Sequence, residues 1–206
     1  MKLETIQYTT GKGWSSSFPD LDSKNTLILL FADPEFIDKQ TPIKDLMKQY
    51  PQSQMIGCSS AGEIYNATVN DNSISVAIMK FEKTDIKVYR TKIADIKDSC
   101  KAGIEVFDSL NSQNLSGVIV LSNGININGS ELVKGLNEHN KAKIPVMGGL
   151  AGDGPRFGQT WAVYNGEITT DTVVAVGLYG ENIKIGHGSR GGWDVFGPER
   201  RITKSE

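Results

Sequence analysis

A glycine-rich stretch is the part of this sequence in which residue types and spacing most directly suggest chemistry. It reads P-V-M-G-G-L-A-G-D-G-P-R-F and carries Gly148, Gly149, Asp153 and Arg156. Glycine lets another group approach the main chain closely, and the N–H groups of such a loop can cradle a phosphate or carboxylate. Asp153 and Arg156 are three residues apart. They would therefore either grip the ammonium and carboxylate of one ligand or pair with each other.

An earlier loop, C-S-S-A-G-E, has the same character as the glycine-rich stretch. Its Glu63 occupies the place that Asp153 has in the later loop. If the two loops meet, the two carboxylates converge, and this would suit acid–base work or the binding of an amine. The residues that we expect to bind a ligand are Cys58, Ser59, Ser60, Glu63, Ser122, Asn123, Gly148, Gly149, Asp153 and Arg156.

Cys58 supports a rival hypothesis, in which the protein is a hydrolase or transferase. A cysteine that follows a strand can act as a nucleophile with a histidine as its base. His187, between two glycines, is a better candidate for that base than His139, which lies in the last turn of a predicted helix. This hypothesis requires Cys58 to be a thiolate at neutral pH. The two distant histidines and two cysteines have no metal-ligand spacing, so no metal site is expected.

Composition and charge exclude several classes of partner. The 206 residues are 38% hydrophobic and carry a net charge of −2, as in an ordinary globular protein. No run of basic residues suggests nucleic-acid binding, and the glycines match no phosphate-loop or dinucleotide fingerprint, so no cofactor is expected. The longest apolar run is too short for a bilayer, and the start lacks the apolar core of a signal peptide. We therefore expect a cytoplasmic protein without a membrane partner.

Apolar patterning predicts a mixed α/β fold, with mixed sheets flanked by helices. Continuous apolar runs at Leu27–Ala32 and Gly117–Leu121 are typical of strands covered on both faces. The spacing of apolar residues predicts helices that start at Thr41, near Asp95 and after Asn128. The helix over Asp95–Leu110 is predicted to bury a stripe of residues: Ile96, Cys100, Ile104, Phe107 and Leu110.

Three antiparallel hairpins are also predicted. The pair Asn165-Gly166 between two apolar segments is the strongest of these signals. We expect two others from alternating or apolar segments that follow each other closely. These pair Ile74–Phe81 with Asp85–Thr91, and Val173–Tyr179 with Asn182–His187.

The two loops belong to two similar stretches of chain. Gly57 and Gly148 are 91 positions apart, and the same offset relates the apolar runs that begin at Leu27 and Val118. We interpret residues 1–206 as one domain with a pseudo-repeat over about 27–92, a connecting helix over about 95–110 and a second pseudo-repeat over about 117–190. The alternative is that strand–helix–strand units share this pattern generally.

Beyond these patterns, the chain resembles the N-terminal domain of the FIST family. The matching motifs include I-G-C-S-S-A-G-E-I-Y, P-V-M-G-G-L-A-G-D-G, T-W-A-V-Y-N-G-E-I and the closing G-W-D-V-F-G-P-E-R-R-I-T-K. They run from about Leu27 to the end of the sequence. FIST domains are regarded as sensory input modules of bacterial signal-transduction proteins, and amino acids are among the ligands suggested for them. The resemblance therefore implies a sensory domain without catalytic activity.

The resemblance also implies partners. In the family a C-terminal FIST domain follows the N-terminal one, and we expect it to be missing from this sequence. The expected partners are that C-terminal domain and a downstream signalling output domain or protein. The family offers no established catalytic residues. We hypothesise that Arg156 and loop amides hold the carboxylate of a small amino acid or organic acid, while Asp153 or Glu63 holds an ammonium. A third hypothesis is a protein-interaction scaffold, in which the glycine loops are structural turns and an open strand edge docks the missing C-terminal half.

Overall fold

The fold is a mixed α/β architecture, as predicted, in a computed structural model that describes residues 1–93, 98–188 and 194–204. A short 3-10 helix at Pro34–Ile37 precedes α1 (Thr41–Gln49), and the later helices are α2 (Ser99–Leu110) and α3 (Gly129–Glu138). The strands are β1 Lys2–Thr9, β2 Gly13–Trp14, β3 Thr26–Ala32, β4 Gln54–Ser59, β5 Glu63–Tyr65, β6 Thr68–Asn70, β7 Ser73–Lys80, β8 Asp85–Lys92, β9 Leu115–Ser122, β10 Val146–Leu150, β11 Ala162–Tyr164, β12 Glu167–Thr169 and β13 Thr172–Tyr179.

Two sheets pack face to face between layers of helices. The larger has the strand order β12-β11-β4-β3-β7-β1-β2, and the smaller has the order β10-β9-β13-β8. One apolar cluster, with Leu27 and Val176 among its members, fills the space between the sheets. A second joins α1 to the outer face of the larger sheet, and a third joins α2 and α3 to the smaller. None of the helices among the described residues is long and apolar enough to cross a bilayer.

The centres of the two sheets have the same topology. In the larger sheet β3 pairs parallel with β4 and antiparallel with β7. In the smaller sheet β9 pairs parallel with β10 and antiparallel with β13. Helices α1 and α3 connect the parallel strands, and β1 and β8 flank β7 and β13. The limits of the two pseudo-repeats stay a prediction, but β8, which the sequence assigned to the first repeat, belongs to the second sheet.

Equivalent glycines mark the centre of each parallel pair. Gly57 lies opposite Leu30, and Gly148 lies opposite Val120. A Cβ atom on either glycine would collide with the main-chain oxygen of the residue opposite, so neither position accepts a larger residue without a shift of the backbone. Gly57 and Gly148 are 91 positions apart, whereas the residues opposite them, Leu30 and Val120, are 90 positions apart. A single offset therefore does not relate both strands of the two parallel pairs.

Two of the predicted hairpins are wrong, because the strands find partners elsewhere. Strand β7 pairs with β1 and β3, while β8 joins the other sheet beside β13. Strand β13 lies between β8 and β9, so both of its edges are occupied and the segment 182–187 cannot pair with it. That segment forms no strand, and its Ile183 and Ile185 pack against the cluster between the sheets.

The third predicted hairpin is confirmed. Strands β11 and β12 pair antiparallel around Asn165 and Gly166. These two residues have φ angles of 47° and 83°, as the favoured two-residue hairpin turn requires.

The three predicted helices are also present, with differences in detail. The Asn128 side chain caps α3 by accepting a hydrogen bond from the N–H of Glu131, as expected. The cap of α1 is Gln40 rather than Thr41. Residues 94–97, at the predicted start of the second helix, lie outside the described residues. The described part, α2, buries Ala102, Gly103, Val106, Phe107 and Leu110, while Cys100 and Ile104 are half-buried.

Candidate functional site

The two predicted ligand loops touch each other at the carboxyl ends of β4 and β10. The N–H of Gly152 donates to the carbonyl of Ser59 at 3.0 Å. The loops approach so closely that a Cβ atom on Gly152 would lie 3.2 Å from the nitrogen of Ala61. The N–H of Ser60 donates to the carbonyl of Ala32 at 2.9 Å, which joins the first loop to the end of β3. The sequence left the meeting of these two loops as a condition, and in the structure they pack directly against each other.

Asp153 uses both carboxylate oxygens within its own loop. Its Oδ1 accepts from the Nε of Arg156 at 2.9 Å, and its Oδ2 accepts from the N–H groups of Gly158 and Gln159, each at 2.8 Å. Burial alone would raise the pKa of this carboxyl. The two main-chain donors and the guanidinium outweigh burial and lower the pKa of Asp153. The ion pair within the loop is the arrangement that the structure shows.

Arg156 lies among three carboxylates. Beyond Asp153, its guanidinium nitrogens lie 3.8 Å from Asp33 Oδ1 and 3.8 Å from Glu35 Oε1. The shallow depression beside it has a volume of about 230 Å³ and also includes Asp38 in its lining. An added carboxylate would have to compete with these acidic neighbours for the guanidinium, which makes Arg156 a poor anchor for an anion.

Glu63 is buried and belongs to a different hydrogen-bond network from Asp153. Its Oε1 accepts from the hydroxyl of Ser60 at 2.8 Å, and its Oε2 accepts from the hydroxyl of Ser73 at 3.1 Å. Burial raises the pKa of Glu63 most, the serine hydroxyls oppose this shift, and the nearby Asp33 adds to it. The two equivalent acids of the two loops therefore sit in contrasting surroundings.

Cys58 lies in the apolar cluster between the two sheets. Its side chain is buried, and burial raises the pKa of its thiol to about 12. A thiol with that pKa is neutral at physiological pH and is a weak nucleophile. His139, one of the two candidate bases, has its Nδ1 2.9 Å from the carboxylate of Asp108. The surroundings of Cys58 therefore favour a structural role over the nucleophilic one.

Ser122 and Asn123 are buried at the end of β9. The amide nitrogen of Asn123 donates to the carbonyl groups of Ile125 and Thr170, both at 2.6 Å. Asn123 thus ties two connecting segments together. The hydroxyl of Ser122 and the amide oxygen of Asn123 find no hydrogen-bond partner among the described residues.

A cavity lies between α3 and β10. Its volume is about 570 Å³, and it contains Gly148 and Gly149 together with His187. Sequence reasoning did not find this cavity, because an apolar helix face such as that of α3 normally packs against a sheet. The sequence signal that could have indicated the cavity is the pair Gly148-Gly149 directly after an apolar run, and the structure leaves Val133 on α3 56% exposed beside it. The lining is Val120, Gly129, Leu132, Val133, Leu136, Asn137, Val146, Met147, Gly148, Gly149, Leu150, His187 and Gly188.

One wall of this cavity is an open strand edge. Strand β10 is the outermost strand of the smaller sheet, and only β9 pairs with it among the described residues. The N–H of Ala151 donates to Ser122, so the N–H and C=O groups of alternate residues point toward β9. The main-chain groups of Val146, Gly148 and Leu150 consequently face outward.

The family comparison decides what kind of domain this is. The sequence model of the FIST N domain matches residues 26–206. The chain belongs to the FIST N domain family. A comparison with curated proteins found no match. FIST domains are generally sensory domains of signal transduction and are not generally catalytic.

Proposed function

We propose that this FIST N domain is an input module that senses a small molecule, and that the molecule binds in the cavity between α3 and β10. The observation that carries the proposal is the cavity itself. Its volume of about 570 Å³ falls within the range of about 300–1,000 Å³ that is usual for ligand pockets. Gly148 and Gly149, two residues expected from the sequence to contact a ligand, form part of its wall.

The lining of the cavity favours a ligand with an apolar body. Most of the wall consists of valine, leucine and methionine side chains, which offer no hydrogen-bond donor. Polar groups come from the amide of Asn137, from His187 and from the outward main chain of Gly148. A molecule with an apolar body and one polar end fits this distribution better than the small polar metabolite of the initial hypothesis. A branched or aromatic carboxylic or amino acid has this chemistry.

A thermal-shift screen tests the proposal. The compounds are branched and aromatic amino acids, the corresponding organic acids, small polar amino acids and nucleotides. A ligand at one hundred times its Kd stabilises the folded state by about 2.7 kcal/mol, which raises the Tm of a domain of this size by roughly 5–10 °C. We expect the apolar compounds to give the response. A flat screen, or a response restricted to small polar compounds, contradicts the proposal.

Three variants locate the site for any compound that responds. Val133→Trp places a large side chain at the cavity and should abolish the response, because it fills the space that the compound needs. Lys134→Trp, the next residue on α3, has a side chain 63% exposed, does not line the cavity and serves as the matched control. Arg156→Ala should leave the response unchanged. If the response were lost in Arg156→Ala and retained in Val133→Trp, the compound would bind at the two loops and not in the cavity.

A further inference from the structure

Two hairpins in this domain are counterparts of each other. Strands β5 and β6 read E-I-Y-N-A-T-V-N, and β11 and β12 read A-V-Y-N-G-E-I-T. The turn residues Asn66 and Asn165 have nearly equal φ angles, 53° and 47°. The first hairpin follows β4 along the chain and the second follows β10, which are the equivalent strands of the two sheets. The hairpins are therefore similar in sequence and in position, although their turns differ at the second residue: Gly166 has a positive φ of 83°, and Ala67 has no positive φ.

Hairpin β11–β12 covers the outer edge of β4. The N–H of Ser59 donates to the carbonyl of Trp161 at 3.0 Å, and the N–H of Asn165 donates to the carbonyl of Met55 at 2.9 Å. Val163 lies opposite Gly57 and is completely buried in the apolar cluster that includes α1. An antiparallel strand thus closes this edge and fills the space between helix and sheet.

Within the described parts of the chain, no hairpin covers the equivalent edge of β10. By the offset of 91, Val146, Gly148 and Leu150 correspond to Met55, Gly57 and Ser59, and their main-chain groups also face outward. Hairpin β5–β6 does not reach this edge and forms a separate two-stranded sheet. The cavity between α3 and β10 corresponds to the space that Val163 fills between α1 and β4.

We infer that the outer edge of β10 is a docking site for an antiparallel strand of a partner protein. The guest strand places a β-branched apolar residue opposite Gly148, with its side chain in the cavity and its main chain bonded to Val146, Gly148 and Leu150. The segment T-W-A-V-Y, which does this at β4, defines the chemistry of the guest: an extended segment with a β-branched residue between neighbouring apolar or aromatic ones. Edge-strand addition gains affinity from main-chain bonds and specificity from alternate side chains.

The absence of a side chain at Gly148 serves the pairing with β9, because a Cβ atom there would collide with the carbonyl oxygen of Val120. Strands that pair closely often carry glycine where another backbone approaches. The inference goes beyond the proposed function and does not depend on it, because the open edge is present without any small molecule. Where both hold, guest strand and small molecule use the same cavity and compete, so a ligand would release the partner.

Binding of a peptide tests the inference. The probe is a synthetic peptide with residues 158–170 of this chain, which includes T-W-A-V-Y and the Asn-Gly turn. It is added without small molecule to the isotope-labelled protein, and amide exchange is followed by NMR. We expect slower exchange at Val146, Gly148 and Leu150. The amides of Met147 and Gly149 should change little, since they already face β9. Absence of binding at millimolar peptide, or protection without this alternation, overturns the inference.

Variants of peptide and protein test the mechanism. A peptide with Val163→Lys should bind at least about tenfold more weakly, because a charged group would enter an apolar cavity. In the protein, Leu150→Pro removes one outward N–H from an edge strand, where proline can be tolerated. Leu150→Ala removes the side chain alone and should bind the peptide several-fold more tightly than Leu150→Pro, by about the value of one hydrogen bond. Equal binding by the two protein variants counts against main-chain pairing.

The protein by itself supplies the last control. Protection of the same three amides in the absence of peptide, rising with protein concentration, would mean that a second copy of this chain occupies the edge. That result would overturn the assignment to a different partner protein. Concentration-independent exchange that slows only when the peptide is added supports the inference.

Discussion

At the scale of single residues, Glu63 and Asp153 show how equivalent positions acquire different chemistry. The pKa of buried Glu63 is raised, mainly by burial, and the pKa of Asp153 is lowered by its main-chain and guanidinium donors. A raised carboxyl pKa means that Glu63 contributes most to stability when protonated. That contribution is fully present below the unfolded pKa of about 4.3 and is lost as the pH rises through the folded value. The pH dependence is opposite for Asp153, whose contribution to stability is lost as the pH falls through its folded pKa.

Glu63→Gln should become more stable relative to the unmodified protein as the pH rises from 4 to 7. Glutamine retains the acceptor for Ser60 and removes the cost of a buried ionised carboxylate. The free energy of unfolding, measured with urea at several pH values, checks this. Asp153→Asn is the matched control. Its deficit should be full above about pH 4, the unfolded pKa, and should shrink at lower pH. Parallel pH dependences for the two variants would contradict this account.

Side-chain chemistry was predictable from the sequence where it depends on local spacing. The three-residue interval between Asp153 and Arg156 left an ion pair as one of two alternatives, and that pair is present. The burial of Cys58 was not predictable, because it depends on a second sheet that packs over β4 from a distant part of the chain. The cavity beside Gly148 was missed for a related reason. An apolar helix face looks the same in sequence whether or not a strand covers it.

At the scale of elements, α2 and α3 are held together by two glycines. A Cβ atom on Gly103 would collide with the carbonyl of Leu132 on α3, and one on Gly135 would collide with the carbonyl of Cys100 on α2. Each glycine therefore lets the backbone of the other helix approach. This close contact fixes the position of α3, which forms one wall of the cavity.

Replacement of either glycine by alanine should destabilise the protein by about 1–3 kcal/mol, since the helices must move apart. The sign of the change in unfolding free energy is informative, because a glycine-to-alanine substitution inside a helix normally stabilises a protein by about 1 kcal/mol. Urea unfolding of Gly103→Ala and Gly135→Ala checks the prediction. Gly129→Ala is the control, since its Cβ would meet only the flexible end of Leu150. Neutral or stabilising effects in the first two variants would be incompatible with the packing described here.

Most elements were predictable, whereas their partners were not. Apolar runs and the cap at Asn128 located β3, β9 and α3 because these signals are local. The alternation in β7 identified a strand but gave no information on which strand lies beside it. The connection after β7 crosses from one sheet to the other instead of turning back, so the predicted hairpin with β8 failed.

At the scale of the whole molecule, the two halves are interlocked. Strands β11 and β12 come from the second half of the sequence and complete the sheet of the first half. Trp161, also from the second half, is completely buried in the α1 cluster and donates its indole N–H to the carbonyl of Pro34 at 2.9 Å. The first half therefore lacks part of its own core.

A fragment of residues 1–83 should fail to fold. It would keep β1 to β7 and α1 but lose Trp161 and Val163 from its core, and it would expose the face of the sheet that packs on β13. Circular dichroism during urea titration should show no cooperative transition, in contrast to the full chain. A sharp transition, with an m value in proportion to the shorter length, would mean that the first half folds on its own.

The side chain of Asn165 reaches back to the start of β4, where its Oδ1 accepts from the N–H of Met55 at 2.8 Å across a separation of 110 residues. On a ribosome that adds about 5–20 residues each second, this partner emerges roughly 5–20 s after β4. During that interval the nascent chain presents an unpaired strand edge beside an unfilled apolar groove. From this order of synthesis we expect the early part of the protein to need protection by chaperones until its own distant hairpin is made.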